Sequence, residues 1–150
     1  MPKILVIYHS QEYGNTEEMA KAVAEGITKA GAQAELYNTN ETRVAIETYK
    51  NADAAVFGSP DYFSYIAGGL KVFLDDWYIA KEKNSAGLLD KQYALFYSHG
   101  GGGKVREHLE KLFQHMGTQV GKTIESKGKP NKKALDECKA LGEQLAKAVK

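Results

Sequence analysis

The chain has 150 residues, of which 43% are hydrophobic and 26% are charged, and its formal net charge is +1. This length and composition are typical of one folded domain and exclude a disordered chain. A charge near zero lacks the basic stripe of a nucleic-acid binder, and no apolar run approaches the roughly 20 residues of a membrane helix. The residues after Met1 show no signal-peptide pattern, so we expect a cytoplasmic protein that forms one domain over residues 1–150.

The first half of the chain alternates short apolar runs with helical patterns. Residues 4–8 are a continuous apolar run, typical of a strand buried on both faces, and a polar loop follows them. Apolar residues at helical spacing then predict a helix: Met19, Ala20, Val23, Ala24 and Ile27. The next predicted elements are a strand at 33–37, a helix at 41–51, and a strand at 54–57 that Gly58-Ser59-Pro60 stops.

The second half continues the alternation. A third helical stripe consists of Leu70, Phe73, Leu74 and Trp77. The pattern is completed by a strand at 93–97, a glycine loop at 100–103, a helix at 105–116, a fifth strand at 118–124 and a last helix after Pro130. Five strands alternating with five helices predict an α/β fold, with a parallel sheet and helices on both faces.

Ligands in such folds bind beyond the carboxyl ends of the strands, where the strand order reverses. The loops after strands one, three and four are therefore the candidate site. The first loop, residues 10–16, offers hydroxyls at Ser10 and Thr16, an amide at Asn15 and a flexible turn at Gly14. Because it leads directly into a helix, its backbone N–H groups and the helix dipole suit a phosphate. The alternative is an ordinary helix cap at Asn15 or Thr16.

The second loop, residues 58–65, places three aromatic side chains within four positions: Tyr62, Phe63 and Tyr65. Such a cluster just outside a buried strand is suited to flank a flat ring. The alternative is that Phe63 and Tyr65 cover the sheet edge.

The third loop, residues 98–104, contains four consecutive glycines, which allow close approach of the backbone to a ligand. It lacks the Ser or Thr that ends a Walker A motif. Phe96 occupies the first glycine position of a Gly-x-Ser-x-Gly elbow, so serine-hydrolase chemistry is also excluded. We interpret His99 as a ligand contact rather than a catalytic base.

Metal sites are disfavoured elsewhere in the sequence. His108 and His115 lie seven residues apart on a predicted helix, without acidic residues at metal-ligand spacing. Cys138 is the single cysteine, which excludes an internal disulfide and predicts a small apolar residue on a helix.

The three loops together resemble the flavodoxin-like superfamily. Gly14-Asn15-Thr16 matches the end of that family's FMN phosphate loop. Residues 58–63 are similar to its ring-packing loop, especially that of FMN-dependent quinone reductases, and residues 98–103 are similar to their glycine-rich loop. The resemblance implies a flavodoxin-like three-layer sandwich whose five-stranded parallel sheet has the order 2-1-3-4-5, with FMN as cofactor. The implied cofactor contacts are Ser10, Gln11, Tyr13, Gly14, Asn15, Thr16, Ser59, Pro60, Asp61, Tyr62, Phe63, Ser98, His99, Gly100, Gly101, Gly102 and Gly103.

The resemblance leaves three functions open. The first is an FMN-binding electron-transfer protein that accepts electrons from a reductase and passes them to a redox partner protein. The second is an FMN-dependent NAD(P)H:quinone oxidoreductase, although the short chain leaves little material for a nicotinamide and quinone pocket. The third is a flavin-free interaction domain on the same fold, since a fold does not fix a function.

Overall fold

A computed structural model describes residues 1–150 of the chain as a parallel sheet between two layers of helices. The strands are β1 Lys3–Tyr8, β2 Gln33–Asn38, β3 Ala54–Pro60, β4 Lys91–His99, β5 Gly117–Gln119 and β6 Ile124–Lys127. The helices are α1 Asn15–Lys29, α2 Ile46–Lys50, α3 Gly68–Lys83, α4 Val105–Phe113 and α5 Lys132–Ala148, and a 3-10 turn, Gln114–Met116, follows α4. None of these helices has the length and apolar character needed to cross a bilayer.

The sheet has the strand order β2-β1-β3-β4-β5, with every pair parallel, and β6 also pairs with β4. This confirms the predicted order and the three-layer α/β class. The chain passes from β1 outward to β2 and then back across to β3 on the other side of β1. The order therefore reverses at the β1/β3 boundary, where the carboxyl ends of two neighbouring strands leave room for a ligand.

The prediction of one fifth strand at 118–124 is wrong, because two short strands take its place. β5 pairs with the start of β4, from Lys91 to Tyr93, and β6 pairs with its end, from Phe96 to His99. Gly121 between them adopts a positive φ of 73°, which breaks the extended conformation. As a result, β6 reaches the carboxyl edge of the sheet, beside the candidate loops.

Two neighbouring strands are longer than predicted. β3 continues through Gly58, Ser59 and Pro60, which pair with β4 as far as Ser98, and β4 continues to His99, which pairs with Lys127 of β6. Gly58 is required by packing rather than by a turn, since a Cβ there would lie 2.1 Å from the Phe96 ring. The predicted helix at 41–51 is shorter, since only Ile46–Lys50 is helical.

The alternation of side chains along the strands produces a core on each face of the sheet. On one face Leu5, Ile7 and Phe57 pack with α3 and α4, and on the other Ile4, Val6 and Val56 pack with α1 and α5. Cys138 is fully buried in the second core on α5, as predicted. Both cores end below the carboxyl edge of the strands, which leaves that edge to polar loops.

Candidate functional site

A cavity of about 300 Å³ lies at the carboxyl edge of the sheet, at the reversal of strand order. The loops after β1, β3 and β4 form its walls, and the loop after β6 contributes one residue. The lining residues are Ser10, Gln11, Glu12, Tyr13, Gly14, Asn15, Thr16, Pro60, Asp61, Tyr62, Ser98, His99, Gly100 and Gly128. The structure thus brings most of the sequence-predicted residues together. It leaves out Ser59, Phe63, Gly101, Gly102 and Gly103 and adds Glu12 and Gly128.

The first loop presents a row of free backbone donors. None of the N–H groups of residues 11–17 has a hydrogen-bond acceptor within the chain. Gly14 turns the chain into α1 with a φ of 76°, and no side chain caps the helix. The alternative interpretation of Asn15 or Thr16 as an ordinary helix cap is therefore wrong. Unpaired N–H groups and the positive end of α1 make this loop a cradle for an anion.

Thr16 and Ser98 form a buried hydroxyl pair at the floor of the cavity. Their Oγ1 and Oγ atoms lie 2.8 Å apart, and the side chains are 2% and 5% exposed. Each hydroxyl carries one proton, and the mutual hydrogen bond uses only one of them. The other proton remains available to an oxygen atom of a ligand.

Asn38, at the end of β2, fixes the shape of the first loop. Its Oδ1 accepts the Ser10 N–H at 3.0 Å, and its Nδ2 donates to the Ser10 carbonyl at 2.9 Å. Sequence reasoning missed this residue. An amide at the end of a strand next to a candidate loop is the signal that could have identified it.

The second loop separates its aromatic residues. Tyr62 is half-buried, lines the cavity and meets the His9 ring edge-on at 5.9 Å. Phe63 is fully exposed at the tip of a tight turn, so it neither enters the cavity nor covers the sheet. Both Phe63 and Ser64 have positive φ values, 56° and 63°, and this conformation turns the Phe63 side chain outward. Tyr65 packs against the first core, as the sheet-covering alternative predicts.

Asp61 and Ser59 act on the shape of this loop through hydrogen bonds. The Asp61 carboxylate accepts the Ser64 N–H at 2.8 Å and the Val105 N–H at 3.1 Å, so it joins the second loop to the start of α4. The buried Ser59 hydroxyl accepts the Ala67 N–H and donates to the Pro60 carbonyl. Both side chains have their partners inside the protein, so they tie the loop to the neighbouring chain.

The glycine loop approaches the cavity only at its start. Gly100 lines the cavity, whereas Gly101 and Gly102 are exposed outside it. Gly103 has a φ of 65°, and a Cβ there would lie 3.4 Å from His99 Nε2. Such a contact is ordinary, so glycine is favoured at this position by its positive φ and not by a need for space.

His99 belongs to a hydrogen-bonded cluster with Tyr97 and Glu125. Glu125 Oε1 lies 3.0 Å from His99 Nε2, and Glu125 Oε2 accepts the Tyr97 hydroxyl at 2.5 Å. The hydrogen bonds from Tyr97 and then from His99 hold the pKa of the Glu125 carboxyl below its usual range. Burial and the neighbouring carboxylate raise the pKa of Tyr97 well above its usual value. Sequence reasoning missed Glu125 because it lies on β6, beyond the unpredicted break at Gly121.

The cavity as a whole fits a flat ligand that carries a phosphate. A cradle of free N–H groups occupies one side, Tyr62 flanks another, and His99 Nδ1 is buried without any hydrogen-bond partner. FMN has this combination of a phosphate monoester and a planar ring with a polar edge. A sheet of this strand order binds FMN at its β1/β3 reversal in flavodoxins.

Comparisons with known proteins agree with this geometry. The flavodoxin family model matches residues 6–142. Diflavin flavoprotein A 3 of Synechocystis sp. is 31% identical over 152 residues, covering 97% of this chain and 24% of its own length. The chain spans about a quarter of the length of the curated relatives it matches.

Solved structures show the same relationship. A flavodoxin from the Archaea is 28% identical, covers 98% of both chains and superimposes with a TM-score of 0.83. The Flv1 flavodiiron core of Synechocystis sp. is 27% identical, with a TM-score of 0.78 over 99% of this chain and 36% of that one. These matches confirm the predicted fold class and FMN as the cofactor, and the chain belongs to the flavodoxin family.

Proposed function

We propose that the chain binds FMN in this cavity and transfers electrons between redox partner proteins. The observation that carries the proposal is the cradle of unpaired N–H groups at residues 11–17, which has no role in the fold. Bound FMN supplies one- and two-electron redox chemistry, and the protein supplies its binding, orientation and electrostatic surroundings.

The phosphate donors are the backbone N–H groups of the first loop and the free hydroxyl proton of the Thr16–Ser98 pair. No Lys or Arg lines this cavity, and Lys21 and Lys129 lie on the other side of residues 13–15. Oriented backbone dipoles therefore balance the charge of the phosphate. Tyr62 and Gly100 both line the cavity, where Tyr62 would pack on the ring and the Gly100 backbone would face its polar edge.

The cavity is small, and the extent of a full-length relative supports a carrier. Pockets for small ligands span roughly 300–1,000 Å³, and this cavity of about 300 Å³ lies at the lower limit. The archaeal flavodoxin is 28% identical and matches this chain over 98% of both chains, and this match supports the carrier.

The longer relatives suggest the kind of partner. The diflavin flavoproteins are about four times as long as the stretch they share with this chain. We propose that this chain performs the step of the flavodoxin region in such proteins, in which FMN relays electrons to or from a second redox centre on a partner.

An anaerobic absorbance titration of the FMN-loaded protein tests the carrier against the reductase. We expect the flavin to stay oxidised with NADH or NADPH and to bleach stoichiometrically with dithionite. Dithionite controls for a flavin that is bound but inaccessible to reductants. Rapid bleaching by either nucleotide would instead favour the NAD(P)H:quinone oxidoreductase and make quinone turnover the next assay, and failure to load FMN would contradict both functions.

Tyr62 and Phe63 form a matched pair for locating the ring. Tyr62→Ala is expected to weaken FMN binding by roughly tenfold, because it removes an aromatic contact worth about 0.5–1.5 kcal/mol beyond the buried area. Phe63→Ala is expected to leave the affinity unchanged, because this side chain is fully exposed outside the cavity. Quenching of flavin fluorescence measures both affinities. The opposite ranking would place the ring against the tip of the turn instead of inside the cavity.

A further inference from the structure

The buried ring of His9 joins the loops that follow β1, β2 and β3. His9 is 7% exposed and does not itself line the cavity. Its Nδ1 lies 2.9 Å from Thr39 Oγ1 after β2, and its Nε2 lies 3.0 Å from Gln11 Oε1 in the first loop. The ring also meets Tyr62 of the second loop edge-on at 5.9 Å. Partners at both nitrogen atoms and the contact with Tyr62 fix the orientation of this ring.

The partners of the ring set the direction of its two hydrogen bonds. The Gln11 amide oxygen only accepts hydrogen bonds, so His9 Nε2 carries a hydrogen atom. In the neutral ring Nδ1 is then an acceptor, and the Thr39 hydroxyl donates to it. Both bonds therefore point the same way, from Thr39 through His9 to Gln11. In such a chain each hydrogen bond polarises and strengthens the next.

The start of α3 encloses the first of these hydrogen bonds. A Cβ on Gly69, in the first turn of that helix, would clash with Thr39 Oγ1 and would lie 2.9 Å from His9 Nδ1. Glycine at this position therefore allows α3 to pack directly against the pair. A hydrogen bond enclosed in this way lies in surroundings of low dielectric constant, where it is stronger than in water.

The side chain of Gln11 has one bound end and one free end. Its Oε1 accepts from His9, whereas its Nε2 has no hydrogen-bond partner within the chain. Gln11 is exposed and lines the cavity, at the start of the cradle of free N–H groups at residues 11–17. An exposed glutamine loses much rotamer entropy when a ligand orders it, and the bond to His9 orders it in advance. The free amide is thus a preoriented donor in a cavity that no Lys or Arg lines.

We infer that His9 is a positioning residue, which orients the Gln11 side chain so that its amide nitrogen donates a hydrogen bond to the phosphate of the cofactor. A directed chain of hydrogen bonds then runs from Thr39 through His9 and Gln11 to a phosphate oxygen. The inference rests on the proposed function, because it places the phosphate in the cradle of residues 11–17. No proton is transferred and no covalent bond changes along this chain.

A comparison of FMN with riboflavin tests the inference, because riboflavin is FMN without its phosphate. Flavin fluorescence quenching by the full chain measures both affinities. Gln11→Met keeps the length of the side chain and removes the donor, so we expect FMN to bind roughly tenfold more weakly and riboflavin to bind within about twofold of the wild type. His9→Phe keeps a flat ring beside Tyr62 and removes both nitrogen atoms. It is expected to weaken FMN binding by roughly three- to tenfold and to leave riboflavin binding unchanged.

The double variant of His9→Phe with Gln11→Met tests whether His9 acts through Gln11. We expect it to bind FMN within about twofold of Gln11→Met alone, since residues that act as one unit give non-additive losses. His9→Gln, whose amide nitrogen can take the place of Nε2 as a donor, is expected to restore most of the FMN affinity. His115→Phe and Gln114→Met, at exposed positions on the 3-10 turn, are the matched controls.

The ³¹P NMR resonance of bound FMN provides a second readout, measured with protein in excess so that all the flavin is bound. The resonance is expected to shift in both His9→Phe and Gln11→Met and to return towards the wild-type position in His9→Gln. A change in the fold far from the phosphate would not produce this pattern, and the two control variants should leave the resonance in place.

Three results would overturn the inference while leaving the proposed function intact. They are unchanged FMN affinity in Gln11→Met, equal losses for FMN and riboflavin, and losses for the two single variants that multiply in the double variant. Failure of the wild-type chain to quench FMN fluorescence would instead overturn the proposed function and the inference together, so the two failures are distinguishable.

Discussion

Thr16→Val is expected to lower FMN affinity by roughly 10- to 100-fold. The substitution preserves the shape of a buried side chain, which is 2% exposed, and removes its hydroxyl. A hydrogen bond to a charged group contributes about 1.5–3 kcal/mol, and each 1.4 kcal/mol changes affinity tenfold. Flavin fluorescence quenching measures this loss of binding free energy. The absorbance spectrum of the ring should change little.

Thr16→Ser is the control for this prediction, because it keeps the hydroxyl and removes only a methyl group. It is expected to bind FMN within about threefold of the wild type. The double variant Thr16→Val with Ser98→Ala tests whether the hydroxyl left on Ser98 contributes to the effect. If Thr16→Val bound FMN as tightly as Thr16→Ser, the phosphate would not lie at the Thr16–Ser98 pair.

Gly26→Ala is expected to lower the free energy of unfolding of the apoprotein by about 2 kcal/mol. Helices α1 and α5 cross with almost no gap at two glycines, where a Cβ on Gly26 would lie 1.9 Å from the Lys139 carbonyl oxygen and one on Gly142 would lie 2.1 Å from that of Val23. Overpacking of this kind costs about 1–3 kcal/mol, which exceeds the helix propensity that alanine gains over glycine. Urea denaturation followed by circular dichroism measures the change.

Gly68→Ala provides the comparison, since Gly68 begins α3 and has open space around the position of a Cβ. Its stability is expected to stay within about 1 kcal/mol of the wild type. Equal stabilities of the two variants would mean that α1 and α5 can separate at the crossing without cost.

The sequence predicted the fold well because the signals involved were local. Buried parallel strands are nearly continuous apolar runs, and helices repeat every three to four residues. The runs at 4–8, 54–57 and 93–97, with the stripes between them, were therefore sufficient to place the three loops at one edge of the sheet. The resemblance of those loops to known motifs supplied the strand order and the cofactor.

The details of the site that depend on contacts distant in sequence could not be predicted. Asn38 reaches Ser10 across 28 residues, and Glu125 reaches His99 across 26. Neither residue belongs to a motif, and Glu125 comes into position only because Gly121 divides the outer strand. Phe63 was expected at the ring since its residue type is right, but the positive φ that turns it outward is a property of the folded loop.

The hydrogen bonds that Asn38 makes to the first loop and Asp61 makes within the second loop affect how the cofactor binds. Each loop is held by hydrogen bonds to another part of the fold, from Ser10 to β2 and from Ser64 and Val105 to one carboxylate. Loops that are tied down at such points before a ligand arrives lose less entropy on binding than free loops do. Association with FMN should therefore occur in a single kinetic phase, as the docking of a rigid ligand into a preorganised receptor.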